Sequence, residues 1–162
     1  MRAVVLTLSD SGYAGTRQDR SGPIIMEFLQ KEGYEVIHTA VLPDGKEPLM
    51  EELCKWSDSN AADLILTTGG TGFSPRDLTP EATNAVIERP APGITEAIRL
   101  KSLQSTSHAM LSRATAGIRK ECLIINMPGS PKAVKESLEI LFPAVTHGLA
   151  VLKGMAKECA SE

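Results

Sequence analysis

Apolar positions in this chain form short solid runs separated by stretches with helical spacing. Ala3 to Leu8 (AVVLTL) is nearly continuous and rich in β-branched residues, so it reads as a strand buried on both faces. Two further runs have the same character: Asp63 to Thr67, and Leu123 to Ile125. Tyr34 to Leu42 predicts a fourth strand, and Ala114 to Arg119 a weaker one. Between them the spacing changes to that of helices. Ile24, Ile25, Phe28 and Leu29 share one helical face; Asp19, Ser21 and Pro23 open this helix and Gly33 closes it. Leu49, Met50, Leu53 and Trp56 predict a helix over Glu47 to Trp56. Thr79 to Glu88 reads as a helix with Thr79 as N-cap and Pro80 in the first turn. After the breaker Pro90 to Gly93, Ile94 to Leu103 is helical again, and Met110 to Arg113 forms a short helical turn. Val134, Leu138 and Leu141 mark a further helix. Pro143 to Lys157 reads as a final one, with a frayed tail over Glu158 to Glu162. Strands alternating with helices predict a single α/β domain over residues 1–162, with a mostly parallel sheet covered by helices on both faces.

Composition changes this picture little. Hydrophobic content of 42% and charged content of 23% are those of an ordinary water-soluble domain. The formal charge of −3 argues against a nucleic-acid binder that works through a general basic field. No stretch approaches the about 20 apolar residues that span a bilayer. The first apolar run ends at Ser9-Asp10, short of a signal-peptide core, so a cytoplasmic protein is expected. Cys54, Cys122 and Cys159 are odd in number and far apart, which supports neither a disulfide framework nor a zinc site.

Candidate chemistry concentrates where the strands end. In an open α/β sheet, ligands bind beyond the carboxyl ends of the strands. Four loops should emerge there: Ser9 to Ser21, Leu42 to Gly45, Gly69 to Thr79, and Asn126 to Ser130. The richest stretch is LILTTGGTGFSPRDLTPE, residues 64–81. Thr68 is followed by Gly69, Gly70, Thr71 and Gly72, a backbone that can approach a ligand closely or simply turn tightly. It is neither a Walker loop nor a dinucleotide fingerprint. Arg76 behind it can pair bidentately with phosphate, and the helix start after it adds a favourable dipole. Asp44 and Asp77 follow predicted strand ends. Facing a polyphosphate they would hold Mg²⁺; otherwise each is a turn residue. Asn126, Pro128, Gly129 and Ser130 suit an anion or a ring edge, or a plain strand-to-helix turn. Ser112-Arg113 suits a second anionic group, or a solvated surface. His38, His108 and His147 have no metal-like spacing, and no Ser/His/Asp or Cys/His nucleophile pattern is present.

These residues carry a resemblance. TTGGTGFSPRDLTPEAT (67–83) is similar to the signature of the MogA/MoaB family of molybdenum-cofactor biosynthesis proteins, which includes the gephyrin G domain. VLTLSDSGYAG (5–15), DRSGP (19–23), LPDG (42–45), LSRATAGIRK (111–120) and LIINMPGSPKAV (123–134) follow in the family's order. The resemblance implies a three-layer α/β/α fold, a homotrimer and binding of molybdopterin. It implies an adenylyltransferase that uses MgATP to adenylate the molybdopterin phosphate and releases pyrophosphate, with hand-off to a molybdate-inserting enzyme. It implies Mg²⁺ at Asp44 and Asp77, and phosphate cradled by Gly69 to Gly72. Ser9, Asp10, Asn126, Pro128, Gly129 and Ser130 would line the nucleotide and pterin pocket, and Ser112 and Arg113 would take the molybdopterin end. Two alternatives stand beside the enzyme: a non-catalytic molybdopterin carrier, and a general nucleotide-binding domain of related fold.

Overall fold

The computed structural model describes residues 1–155; the expected frayed tail, Glu158 to Glu162, lies outside them. Six strands form one sheet: β1 (Arg2–Leu8), β2 (Glu35–Leu42), β3 (Leu64–Thr68), β4 (Arg89–Pro90), β5 (Ala116–Arg119) and β6 (Cys122–Met127). Their order across the sheet is β2-β1-β3-β6-β5-β4. The first four in that order run parallel, whereas β5 is antiparallel to β6 and β4 to β5. The helices are α1 (Asp10–Tyr13), α2 (Ser21–Lys31), α3 (Glu47–Asp58), α4 (Thr79–Val86), α5 (Pro92–Leu103) and α6 (Pro131–Leu152), with a 3-10 turn over Ser107–Leu111.

The solid apolar runs become the buried middle of the sheet, as a parallel sheet covered on both faces requires. Alternate residues serve two cores. Val5, Leu64, Leu66 and Ile125 pack with Ile25, Leu138 and Val145 of α2 and α6. Val4, Leu6, Ile65 and Ile124 pack with Leu49, Leu53 and Val86 of α3 and α4. Helix, sheet, helix is therefore the layering, as expected.

Several local expectations change. Ser9 to Gly12 is not a plain loop: Ser9 caps α1, its Oγ accepting the Gly12 N–H at 3.1 Å. Thr79 does not cap α4, because Leu78 stands at that position; the Thr79 hydroxyl instead donates to the Gly69 carbonyl at 2.9 Å. The Pro90 to Gly93 breaker is shared between two elements: Pro90 ends the edge strand β4, whose register places Arg89 opposite Ile118, and α5 begins at Pro92. Asn126 is inside β6 rather than in the loop after it. The break expected at Pro143 is absent, and α6 runs through it for 22 residues. A proline inside a helix costs about 3 kcal/mol. Here Leu138, Leu141, Phe142, Val145 and Leu149 form an unbroken buried face across it, while Pro143 itself is exposed. The packing of that face outweighs the lost hydrogen bond.

Candidate active site at the carboxyl edge of the sheet

The four parallel strands end side by side, so their loops meet. A Cβ built on Gly69 would stand 2.3 Å from the Leu8 carbonyl oxygen, and one on Gly129 would stand 3.4 Å from the Gly69 Cα. The Thr68 hydroxyl donates to the Pro128 carbonyl at 2.7 Å, and the Ser21 hydroxyl to the Gly129 carbonyl at 2.9 Å. Gly69 and Gly70 both have positive φ, +93° and +64°, which favours glycine. Thr79 props this turn from behind: its backbone N–H donates to the Gly70 carbonyl at 3.1 Å, beside the hydroxyl bond to Gly69.

Beneath the turn lies a buried polar floor. Asn126 Nδ2 donates to Thr67 Oγ1 at 3.0 Å and to Thr83 Oγ1 at 2.8 Å, while its Oδ1 accepts the Thr115 N–H at 3.2 Å. Asn126, Thr67 and Thr83 are each 0% exposed. The amide of Asn126 is thus spent on joining β3, α4 and the start of β5.

On the rim, three charged side chains knot the loops after β1, β2 and β3. Arg76 makes a bidentate pair with Asp10, Nε to Oδ2 at 2.6 Å and Nη2 to Oδ1 at 2.8 Å, and Nη2 also reaches the Asp44 carbonyl. Asp10 and Asp44 exchange bonds, each carboxylate accepting the other's backbone N–H, at 3.0 and 2.9 Å. The Arg76 guanidinium holds the Asp10 carboxyl below the usual carboxylate range, with the Asp44 N–H adding to it; Asp10 in turn raises Arg76. Asp77 Oδ2 accepts the Ser74 N–H at 2.9 Å, closing the turn that carries Arg76.

Two clefts flank the Thr68-Gly69 ridge. The first is lined by Thr7, Ser9, Arg17, Asp19, Thr68 and Gly129. Asp19, one residue before the N-cap of α2, holds the helix start there, with Oδ1 accepting the Ser21 and Gly22 N–H groups and Oδ2 the Thr7 hydroxyl. The second is mostly apolar, about 820 Å³ with its open mouth, and is lined by Thr71, Gly72, Ile98, Arg99, Ser112 and Pro128 among others. That is the size and character of a pocket for a small organic ligand.

The expected site residues therefore separate. Ser9, Thr68 and Gly129 face the first cleft. Thr71, Gly72, Ser112 and Pro128 face the second, which the fully buried Asn126 also borders. Asp10, Asp44 and Arg76 form the rim, with Asp77 in the adjoining turn. Two residues have other work. Ser130 caps α6, accepting the Ala133 N–H at 3.2 Å. The Arg113 guanidinium is already engaged by the protein: Nε donates to the Gly72 carbonyl at 2.7 Å, and the two Nη atoms bond the Asp77 carbonyl and Glu81. Sequence reasoning missed Arg99, whose Nη1 donates to the Ala114 carbonyl at 2.9 Å. The available signal was a cation at i+4 from Thr95, on the same helical face as the buried Thr95 and Ile98.

For the expected Mg²⁺, the carboxylates give a direct test. In Asp44 and Asp77, Oδ2 is tied to a backbone N–H, and Oδ1 accepts no hydrogen bond among the described residues. No group of three or more His, Cys, Asp or Glu side chains stands ready for a metal among those residues. One or two protein carboxylates completed by substrate oxygens is the usual way magnesium is held, so the residues fit it.

A doubly wound sheet whose parallel strands deliver a glycine turn, a charged rim and two clefts to one edge defines an α/β protein with its candidate ligand site at the carboxyl ends of the strands. The chain belongs to the molybdenum cofactor biosynthesis family: residues 4–147 match the family described as "Probable molybdopterin binding domain". It is 40% identical over 152 residues to a molybdopterin adenylyltransferase of Helicobacter pylori (strain J99), covering 93% of this chain and 86% of that protein. It is 41% identical to the molybdenum cofactor synthesis protein cinnamon of Drosophila melanogaster, covering 91% of this chain but only 25% of that longer protein. Among solved structures, the molybdopterin biosynthesis enzyme MoaB from Thermus thermophilus superposes with a TM-score of 0.89. It is 44% identical, over 94% of this chain and 96% of that one.

Proposed function

We propose that this chain is a molybdopterin adenylyltransferase, moving AMP from MgATP to the terminal phosphate of molybdopterin. The observation that carries the reading is the pair Asp44 and Asp77: two carboxylates on adjoining loops, each with one oxygen fixed by backbone and one that accepts no hydrogen bond among the described residues. In this reading an oxygen of the molybdopterin phosphate attacks the α-phosphorus of ATP. The bond from that phosphorus to the β-bridging oxygen breaks, and pyrophosphate leaves with the electron pair. Such a transfer needs alignment and charge neutralisation more than a protein nucleophile. Asp44 and Asp77 would hold magnesium, which when bound neutralises phosphate charge. Gly69 to Gly72 bring backbone close to phosphate, and Arg76 adds the mobile positive charge of the rim. The polar first cleft receives the nucleotide and the apolar second cleft the molybdopterin, with Ser112 at its wall.

The assembly in this reading is a homotrimer in the cytoplasm that passes its adenylated product to a molybdate-inserting enzyme. An apolar groove between α5, α6 and β5, lined by Ile94, Ala97, Ile118, Ile140, Ala144 and Val145, supports packing between subunits. Sedimentation would give three times the 17.3 kDa chain mass; a monomer at micromolar concentration refutes the trimer.

The direct test is purified protein with molybdopterin, ATP and Mg²⁺, read by adenylated product. Asp77→Ala should keep the fold and most molybdopterin binding while turnover falls by about 100-fold or more, the scale of losing a charge-stabilising group. Molybdopterin binding with no ATP consumption by the wild type would sink the enzyme reading in favour of a carrier.

A further inference from the structure

Arg113 lies 36 residues beyond Asp77 in sequence and yet grips both ends of the turn that carries it. Its backbone N–H donates to the Thr71 carbonyl at 3.0 Å. Nε donates to the Gly72 carbonyl at 2.7 Å, and Nη2 donates to the Asp77 carbonyl. Nη1 pairs with Glu81 in the first turn of α4. All three guanidinium nitrogens thus have protein acceptors, in the forked planar arrangement that only arginine offers. The bracketed turn is closed internally as well, by the Ser74 N–H bond to Asp77 Oδ2.

Glu81 shows what the arrangement costs. Its Oε2 is buried and has no hydrogen-bond partner among the described residues. A carboxylate oxygen left so is unfavourable by itself, which makes the pair a poor device for stability alone. As a counter-charge it offsets the guanidinium locally, in a pair whose side chains are both only partly exposed.

We infer that Arg113 is a positioning residue. With Glu81 as its counter-ion it clamps the turn 72–77, so that Asp77 and Arg76 face the loops after β1 and β2; it does not take an anionic group of the substrate with its own side chain. The inference rests on the adenylyltransferase reading and deepens it. The ATP and metal half of the site takes Asp77 and Arg76 from the clamped turn, whereas the molybdopterin half shares only the Gly72 end of it and keeps Ile98, Arg99, Ser112 and Pro128, none of which the Arg113 guanidinium bonds.

The test measures two quantities separately in wild type and Arg113→Lys: the Kd for molybdopterin without ATP, and the Mg²⁺ dependence of binding a fluorescent ATP analogue. Lysine keeps the charge but cannot bridge two carbonyls and a carboxylate at once. The expected result is a molybdopterin Kd within about twofold of wild type and a Mg²⁺ midpoint raised several-fold. A kcat reduced by about 100-fold should accompany it, the scale of a displacement near 1 Å. A molybdopterin Kd raised about tenfold with the Mg²⁺ midpoint unchanged would overturn the inference, since that is the signature of a direct ligand to substrate. If Arg113→Lys fails to fold by circular dichroism, Glu81→Ala takes its place. It removes both the acceptor of Nη1 and the counter-charge, which loosens the guanidinium from the Gly72 and Asp77 carbonyls, so the same split is expected at smaller size, and an unchanged Mg²⁺ midpoint is equally fatal. Should the wild type make no adenylated product, the adenylyltransferase reading fails by that observation alone, while the two binding measurements still decide the clamp.

Discussion

Replacing Gly69 with alanine isolates the contact on which the edge of the sheet is built. The residue has φ +93°, and a Cβ added to it would stand 2.3 Å from the Leu8 carbonyl oxygen and 3.3 Å from the Leu8 carbonyl carbon. Two costs add. A side chain at positive φ costs about 1–2 kcal/mol. The overlap is with backbone of β1, which is pinned between β2 and β3, so relief requires moving a central strand; overpacking of that kind costs about 1–3 kcal/mol. The sum is about 3 kcal/mol, or roughly 6–12 °C in Tm for a chain of this size. Gly33→Ala is the control. Gly33 has φ +79° but nothing within 4 Å of a built Cβ, so it bears only the first cost. Thermal and urea unfolding followed by circular dichroism would measure both variants. If Gly69→Ala is no less stable than Gly33→Ala, the close approach of the glycine turn to β1 is wrong, and with it the view that these two loops share one edge.

Two further outcomes follow from buried groups at the opposite edge. Burial alone would raise the Asp63 carboxyl, but Lys153 at 2.8 Å and the Arg2 N–H at 2.7 Å outweigh it and hold it below the usual range. With a depressed folded value, its stabilisation is present above the ordinary aspartate pKa of about 3.9 and fades as pH falls through the lower folded value. Asp63→Asn should lower stability at pH 7 by about 2 kcal/mol and flatten the acid limb of urea midpoint against pH; an unchanged acid limb refutes it. Cys122 is buried, and its thiol is pushed up to about 12 by that burial. At about pH 8 it stays protonated, so iodoacetamide should modify half-buried Cys54 before Cys122, which reacts only on unfolding. Peptide mass spectrometry reads the order, and equal native rates would overturn the assignment.

What the sequence made legible follows from the range of each interaction. Strands β1, β3 and β6 announce themselves because burial on both faces demands uninterrupted apolar residues. The gathering of Asp10, Asp44, Arg76 and the glycine turn at one edge follows from alternation of strand and helix. Illegible were the roles set by partners far along the chain. Thr79 follows the usual helix-start pattern, and nothing local says that its hydroxyl turns back to Gly69. Arg113 reads as a free cation because Gly72, Asp77 and Glu81 lie 41, 36 and 32 residues away. Asn126 stands next to a loop sequence and so reads as part of it, although its amide is consumed by threonines of β3 and α4. Pro143 reads as a break because helix propensity is local, while the face that carries α6 through it is tertiary.

The distribution of polar groups separates what folds this edge from what works on it. Thr67, Thr83 and Asn126 are fully buried and bonded to one another, so they fix the ridge at a cost already met by their own hydrogen bonds. Asp10 and Arg76 are the reverse: their side chains are 47% and 61% exposed, and a pair so wetted contributes little to stability. Folding does not require that pair, yet it places one guanidinium against two loops that each carry an acidic side chain. An exposed ion pair is inexpensive to break, so in the proposed reaction Arg76 would leave Asp10 for a phosphate while Asp44 keeps its Asp10 N–H bond. A rim held by buried bonds would lack that exchange. The edge is rigid at the glycine ridge and loosely held at the rim, where the proposed reaction would redistribute charge as a polyphosphate arrives.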